Sequence, residues 1–491
     1  MNKKFLKVLF SMSFLLLLGK GLGFIRTAMV ASTYGAGFVS DIYSFEDSFI
    51  NEIYAIFSTF LACSFIPRYL SLKEEERCKL FNLLLNWGMI IMAFLAVVCF
   101  IFTKELLRIL VPGYFVIYDI SYVIFVTRIN FVMLIITFLV NYIMMVLQAH
   151  EVFIYLSLES VILNIVVIGY LLTAHQMGVI GLLLCRVFAY LILLALVIYK
   201  LKKSTTLKYK LYLDSKNKDL IDMIRLSLPM LGITVLWQLN YVIDKSMASG
   251  LESGSIASLN YANTISMIIY NVIGYIVSIY AYPIMSKIQD NSEKVSNTFK
   301  EYLLILLQLV LPISIMTMFF SGYACQLLYG HGNMSTNSVM IIAKILVMYL
   351  PSSIAYCIKN LYSKLFYIKH NTKIVLGIDI VGCLVNIGLN LILVNVMGVY
   401  GLALATTVSY CTTVILQMII ANNKKYTYLQ LSDLKYSILS IITLVIFGFI
   451  TSYVLNHFIH NEIFKFIYVA TVYLLICGIF SFNDLKKVIS R

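Results

Sequence analysis

Charge is what this sequence has least of. Only 12% of its 491 residues are Asp, Glu, Lys or Arg, against about a quarter in a soluble domain. With 61% of the residues hydrophobic, the composition excludes a water-soluble core of this size. The nine cysteines are scattered, mostly within apolar runs, and no Cys-x-x-Cys pair occurs, so neither a disulfide framework nor a zinc site is supported. There is no Walker motif, no Asp-x-Asp type or other metal-ligand cluster, and no long outer loop. The basic start Met1-Asn2-Lys3-Lys4 and the apolar stretch 8–18 are not followed by a small-x-small cleavage site. That segment reads as an uncleaved first helix.

What the sequence has instead is a succession of apolar runs, each long enough to cross a hydrocarbon layer of about 30 Å as a helix. They fall near 9–32, 39–66, 82–102, 120–148, 153–173, 179–200, 224–249, 257–286, 301–321, 338–363, 374–396, 400–421, 434–455 and 463–482. The expected fold is all-α, a polytopic integral membrane protein with about 14 transmembrane helices. The formal charge of +14 could point to nucleic acid, but the cations are sorted by side of the membrane and do not form one patch. Inner loops collect Lys3, Lys4, Lys7, Arg68, Lys73, Arg77 and Lys79, a dense basic group within 200–225, and later Lys359, Lys364, Lys369, Lys424 and Lys425. Outer loops hold only Lys104 and Arg108. This positive-inside pattern implies cytoplasmic termini and a multi-pass protein of the cell membrane, with no nucleic-acid partner.

The chain repeats itself at an offset near 220 residues. Asn164-Ile165-Val166 lines up with Asn386-Ile387-Gly388, and Met177-Gly178-Val179 with Met397-Gly398-Val399. Ala31-Ser32 with Gly35, Gly37 and Tyr43 echoes Ala248-Ser249 with Gly250, Gly254 and Tyr261. Six spans per repeat is an even number, so the two repeats share one orientation, related by an axis along the membrane normal. The expected organisation is an N-lobe of helices 1–6 at 1–200 and a basic cytoplasmic linker at 201–220. A pseudo-two-fold-related C-lobe of helices 7–12 follows at 221–421, then helices 13–14 with a cytoplasmic tail at 422–491.

An ionised side chain at bilayer depth costs roughly 2.5–3.5 kcal/mol on insertion scales, so those in the spans should face a wet, protein-lined cavity. They are Lys20, Arg26, Asp41, Glu46, Asp47, Glu52, Asp244 and Lys245. Mixed charge in such a cavity points to a transporter. Span 1 carries Gly19-Lys20-Gly21-Leu22-Gly23-Phe24-Ile25-Arg26, a helix expected to bend or open at its glycines. The alternative is a glycine packing seam with snorkelling cations. Arg128, Glu159, Arg186, Lys344 and Asp379 read equally as structural pairs, snorkelling groups or a relay. His150 and His370 occupy equivalent inner turns of the two repeats, and 111–114 and 329–332 read as outer turns that gate the cavity.

With these residues in view, the chain resembles the MurJ family of lipid II flippases, within the multidrug/oligosaccharidyl-lipid/polysaccharide exporter superfamily. The resemblance runs over nearly the whole chain and is strongest at 19–44, 243–263, 327–332 and 365–406. It implies a cavity between two lobes whose cations engage a lipid-linked pyrophosphate, with two extra helices forming a groove for the lipid tail. By position, Lys20 and Arg26 match the span 1 cations, and Asp41 matches the acid that opens span 2. The chain departs from the family where an Arg pair in span 2 is replaced by Tyr54 and Ala55, where a nearby acid is Thr59, and where a span 8 Arg is Thr264 after Asn263. Either Lys245 compensates for the missing cations or the substrate differs.

The expected substrate-binding residues are Lys20, Arg26, Asp41, Lys245, Asn263 and Thr264, and the expected coupling residues Glu46, Asp47, Glu52 or Asp244, with no catalytic residue, cofactor or metal. The implied function is translocation of an undecaprenyl-pyrophosphate-linked peptidoglycan precursor by alternating access, driven by membrane potential or an ion gradient. The implied partners are the bilayer, the lipid-linked glycan and cell-wall synthesis proteins. Alternatives are a flippase for a capsule, teichoic acid or other surface glycan, a drug or cation antiporter, and a membrane glycosyltransferase.

Overall fold

The computed structural model describes residues 3–429, 433, 435–459, 464, 465, 467–473, 475 and 476, and all regular structure among them is helical. Among the described residues, twelve helical segments are long and apolar enough to cross a membrane, and a bent pair makes a thirteenth. The fourteenth expected span, at 463–482, lies largely outside the described residues.

The first compact unit comprises residues 1–257 with 332–334. It contains α1 (Lys3–Tyr34), α2 (Phe38–Ser71), α3 (Glu74–Ile101), the short α4 (Thr103–Leu110) and α5 (Tyr114–Ile117), α6 (Ile120–Asn130) and α7 (Val132–Ala149), which run on as one span, then α8 (Ile154–Thr173), α9 (Gly178–Ser204) and α10 (Lys218–Ser249). α10 packs along α2. It is broken by 56° between Leu228 and Met230. Residue 229 is the only proline in α10, and a proline has no N–H with which to continue the helical ladder.

The second unit comprises 258–331 with 335–491. α11 (Ser255–Ile269) starts at the end of the first unit and continues here. A single π turn joins it to α12 (Tyr275–Lys287). α13 (Ser292–Phe319), the short α14 (Ser321–Tyr329), α15 (Thr336–Ile368), α16 (Thr372–Met397), α17 (Val399–Asn423) and α18 (Lys435–Phe458) follow. α18 packs on α13, where a Cβ on Gly448 would come within 2.2 Å of the Phe319 ring.

Several helices begin earlier than their apolar runs because a polar turn is capped in front of them. Asn217 accepts from Asp219 N (3.0 Å), Asn291 from Lys294 N (2.9 Å) and Ser335 from Ser338 N (3.1 Å), each satisfying an N–H that has no partner inside the helix. α3 starts with Glu74, Glu75 and Glu76, whose charge suits the positive end of a helix. The connection 205–217 is fixed to α3 by two buried asparagines one turn apart. Asn82 Nδ2 donates to Lys208 O (2.9 Å) while Lys210 N donates to Asn82 Oδ1 (2.7 Å), and Asn86 Nδ2 donates to Lys210 O (3.1 Å).

Two expectations are corrected. The first concerns the register of the turns at His150 and His370: the residues at positive φ are Glu151 (61°) and His370 (55°). Val152 N donates to Leu147 O and Asn371 N to Phe366 O, both at 2.9 Å, the six-to-one bond of a Schellman C-cap. The turns are equivalent, but with His150 in register with Lys369. The second concerns Lys359 and Lys364, which lie inside α15 and not in a loop; Lys359 is buried and pairs with Asp379 of α16 at 2.9 Å. Gly178 and Gly398 share φ 56° and ψ −133°, a conformation essentially reserved for glycine.

Candidate functional site

α1 does not open at its glycines. It stays α-helical from Lys3 to Tyr34, and two of the glycines face α8. A Cβ on Gly19 would lie 2.9 Å from Ser160 Oγ, and one on Gly23 would lie 3.2 Å from Asn164 Nδ2. Asn164 Nδ2 also donates to Gly19 O at 3.0 Å. The glycines therefore serve as the close-approach seam, which lets α8 lie directly against the helix that carries the two cations. Lys20 is exposed and has no hydrogen bond or ion pair among the described residues.

Arg26 faces inward. Its Nη2 lies 4.0 Å from Asp47 Oδ2, beyond hydrogen-bond distance, and its buried Nε has no partner among the described residues. Asp47 is held from the other side by Arg186 of α9, a residue only 1% exposed. Arg186 Nη1 is 2.9 Å from Asp47 Oδ1 and donates to Asp47 O (3.2 Å), while Nη2 donates to Asn51 Oδ1 (2.9 Å). Tyr190, one turn along α9, donates to Glu159 Oε1 of α8 at 2.7 Å. Lys245 of α10 is paired directly with Glu52 of α2, and Asp244 lies beside it on the same helix, half-buried.

Glu46 is fully buried and bridges α2 to α6. It accepts from Thr127 Oγ1 and from Asn130 Nδ2 (2.7 Å), and Asn130 Nδ2 also donates to Glu46 O (2.9 Å). Its oxygens are committed to holding helices together. Glu46→Ala is expected to lower stability by roughly 2–4 kcal/mol by leaving buried donors unmatched, with Glu46→Gln losing less. Thermal unfolding of the two purified variants checks this, and an unchanged melting temperature for Glu46→Ala would contradict it.

Asp41 has a different task. Its Oδ2 accepts from Gly254 N and from Tyr118 Oη, both at 2.7 Å, and its Oδ1 accepts from Ala257 N at 2.7 Å. It caps the start of α11 as an external carboxylate, where the unpaired N–H groups and the helix dipole favour negative charge. Around it the turns interlock. Gly113 N donates to Ser249 Oγ (3.1 Å), Asn333 N to Ser32 O (2.7 Å) and Asn333 Nδ2 to Thr33 O (2.6 Å).

The structure thus gathers Arg26, Asp47, Glu52 and Lys245 along one stretch of α2 and its neighbours, and sets Asp41 apart in a closure of turns. Asn263 and Thr264 belong to the second unit, where the Thr264 hydroxyl donates to Asn260 O of its own helix at 2.8 Å. Arg186 and Asn51 were missed as site residues. The only sequence signal for Arg186 was an arginine deep in an apolar run.

The family model described as lipid II flippase MurJ matches residues 30–474. The chain belongs to that family. A probable lipid II flippase MurJ of Buchnera aphidicola subsp. Acyrthosiphon pisum is 24% identical over 476 residues, 92% of this chain and 91% of that protein. Another, of Thermotoga maritima, is 30% identical over 173 residues, 35% of this chain and 36% of its own length, so the chain matches about a third of that relative. Among solved structures, a lipid II flippase MurJ in an inward closed conformation superposes with a TM-score of 0.80 at 20% identity, covering 96% of this chain and 99% of that one. An inward-facing multidrug resistance MATE family transporter of the MOP superfamily gives 0.69 at 14% identity, over 84% and 96% of the two chains. The fold is shared with both structures, and the chain is a multi-span helical protein of the cell membrane.

Proposed function

We propose that the chain is a flippase that moves an undecaprenyl-pyrophosphate-linked peptidoglycan precursor, lipid II, across the bacterial cytoplasmic membrane by alternating access. The observation that carries this reading is Arg26: a guanidinium inside a membrane helix, turned inward, without a hydrogen bond and with an unmatched Nε. A cation in that state is ready for a phosphate, to which it can present two parallel N–H groups. Lys20 is the second open cation on the same helix. Lys245 is already neutralised by Glu52 and serves as a tether between α10 and α2 in this state.

Asp41 and the interlocked turns around Ser32, Gly113, Ser249 and Asn333 form the closed outer gate. Release of the Asp41 cap frees the start of α11 and opens the outward path. No residue performs covalent chemistry, and the driving force is the membrane potential or an ion gradient. The repeat organises the protein into lobes 1–200 and 221–421, with cell-wall synthesis proteins as expected partners. A second reading, a flippase for another lipid-linked glycan, is favoured by one feature: Tyr54, Ala55 and Thr59 put no charge where the family carries two arginines and an acid.

Both termini lie in the cytoplasm in this account. A membrane-impermeant thiol reagent applied to cells should label a cysteine placed at the exposed Asn333 and miss one at Lys208; the reverse would overturn the orientation. For function, cells depleted of their own lipid II flippase should regain growth and shape when this chain is expressed. Failure to rescue, with the protein present in the membrane, would favour the other glycan.

A further inference from the structure

Arg186 belongs to neither the span 1 cations nor the positions at which the family resemblance places substrate contacts, yet it decides the charge state around them. We propose that Arg186 is a positioning residue that occupies Asp47 and so keeps the Arg26 guanidinium open to a phosphate-bearing headgroup. The inference rests on the reading of Arg26 given above and deepens it.

Two guanidinium groups share one carboxylate. Asp47 gives its close contact to Arg186 (2.9 Å) and leaves Arg26 at 4.0 Å. Arg186 has the stronger claim because it is fully buried and makes two further bonds to the same helix, to Asp47 O and Asn51 Oδ1. A guanidinium keeps its proton at any ordinary pH, so a buried one needs a permanent anionic partner. Asp47 fills that role and is spent on it. At close range two guanidinium groups then face one carboxylate, with Glu46 and Glu159 farther from Arg186, and Arg26, with 17% of its side chain exposed, is the partner left without a hydrogen bond among the described residues. A charged group so little hydrated is stabilised by an arriving anion.

Without Arg186, the Asp47 carboxylate has one strong partner left. It closes the gap to Arg26 as a direct pair, and a phosphate must then compete with a resident carboxylate for the same N–H groups.

The test uses the purified full-length protein in detergent with undecaprenyl pyrophosphate as the probe, its affinity read by titration. Arg186→Gln should weaken binding roughly ten- to a hundredfold, the size of one charge-assisted hydrogen bond. Adding Asp47→Asn to it removes the competing carboxylate and should bring the affinity back to within about threefold of wild type, a rescue that non-additivity in a shared network allows and that a purely structural role does not produce. Arg186→Lys, which keeps the charge, should lie close to wild type. Wild-type affinity in Arg186→Gln, or a double variant as weak as the single, overturns the inference. So does failure of both neutral variants to give a folded, monodisperse protein, which would assign Arg186 to packing alone. Arg26→Ala is the separating control. Loss of binding there with no effect of Arg186→Gln sinks this inference and leaves the flippase reading standing, whereas retention of binding in Arg26→Ala sinks the reading of Arg26 itself.

Discussion

Arg26→Ala is expected to abolish lipid translocation, by at least about a hundredfold, and to leave the protein folded. The size follows from removing one partner of a poorly hydrated charge pair, a loss in the range of roughly 2–5 kcal/mol when the other partner is an anionic ligand. The folding result follows from what Arg26 does not do in this state. It donates no hydrogen bond, its ion contact is 4.0 Å long, and Asp47 remains held by Arg186 when Arg26 is gone. The cost to stability should therefore be small, since no hydrogen bond and no close ion contact of Arg26 is lost. Arg26→Lys should retain part of the activity, because an ammonium keeps the charge and loses the fork. The measurement is translocation rate beside thermal stability for the three proteins. Normal transport in Arg26→Ala, or simple failure to fold, would make Arg26 a structural charge.

Asp41→Ala should have the second large effect, of the opposite kind. Three hydrogen bonds converge on that carboxylate, two of them from backbone N–H groups at the start of α11. Their loss should destabilise the closed arrangement by roughly 2–4 kcal/mol, combining a lost cap with donors left buried. The consequence is specific to the turns around Asp41. A cysteine placed at Ser249, 3% exposed in this structure, should react with an impermeant thiol reagent several-fold faster in the Asp41→Ala background, with directional transport impaired. Asp41→Asn should fall between, since an amide offers one acceptor oxygen where the carboxylate offers two. Equal labelling in wild type and Asp41→Ala would show that the cap does not hold the gate.

The spans were legible because length and apolar content are properties of a single segment, and a helix in hydrocarbon needs little else. Their ends were less so. Asn217, Asn291 and Ser335 extend helices through polar turns that a hydropathy pattern ends too early. The glycines of α1 suit a bend or opening of the helix as well as a packing seam, and the partner that makes them a seam, Asn164 with Ser160, lies some 140 positions away in sequence. The ion pairs were the least legible part. Asp47 and Arg186 are brought together only by the packing of α2 on α9, and the partners of Asp41 are backbone amides, which leave no mark on a sequence. The turn register slipped by one for a related reason: His150 and His370 match as letters, whereas the backbone matches Glu151 with His370.

In the reading proposed above, this chain moves lipid II itself. The most direct measurement places the purified protein in liposomes carrying lipid II in one set and a lipid-linked surface glycan of a different sugar composition in another, with and without an imposed membrane potential, and follows the transfer of each headgroup between leaflets. Protein-dependent transfer of lipid II is expected, faster under the potential and absent in Arg26→Ala. Transfer of the other glycan while lipid II stays in its starting leaflet would contradict it.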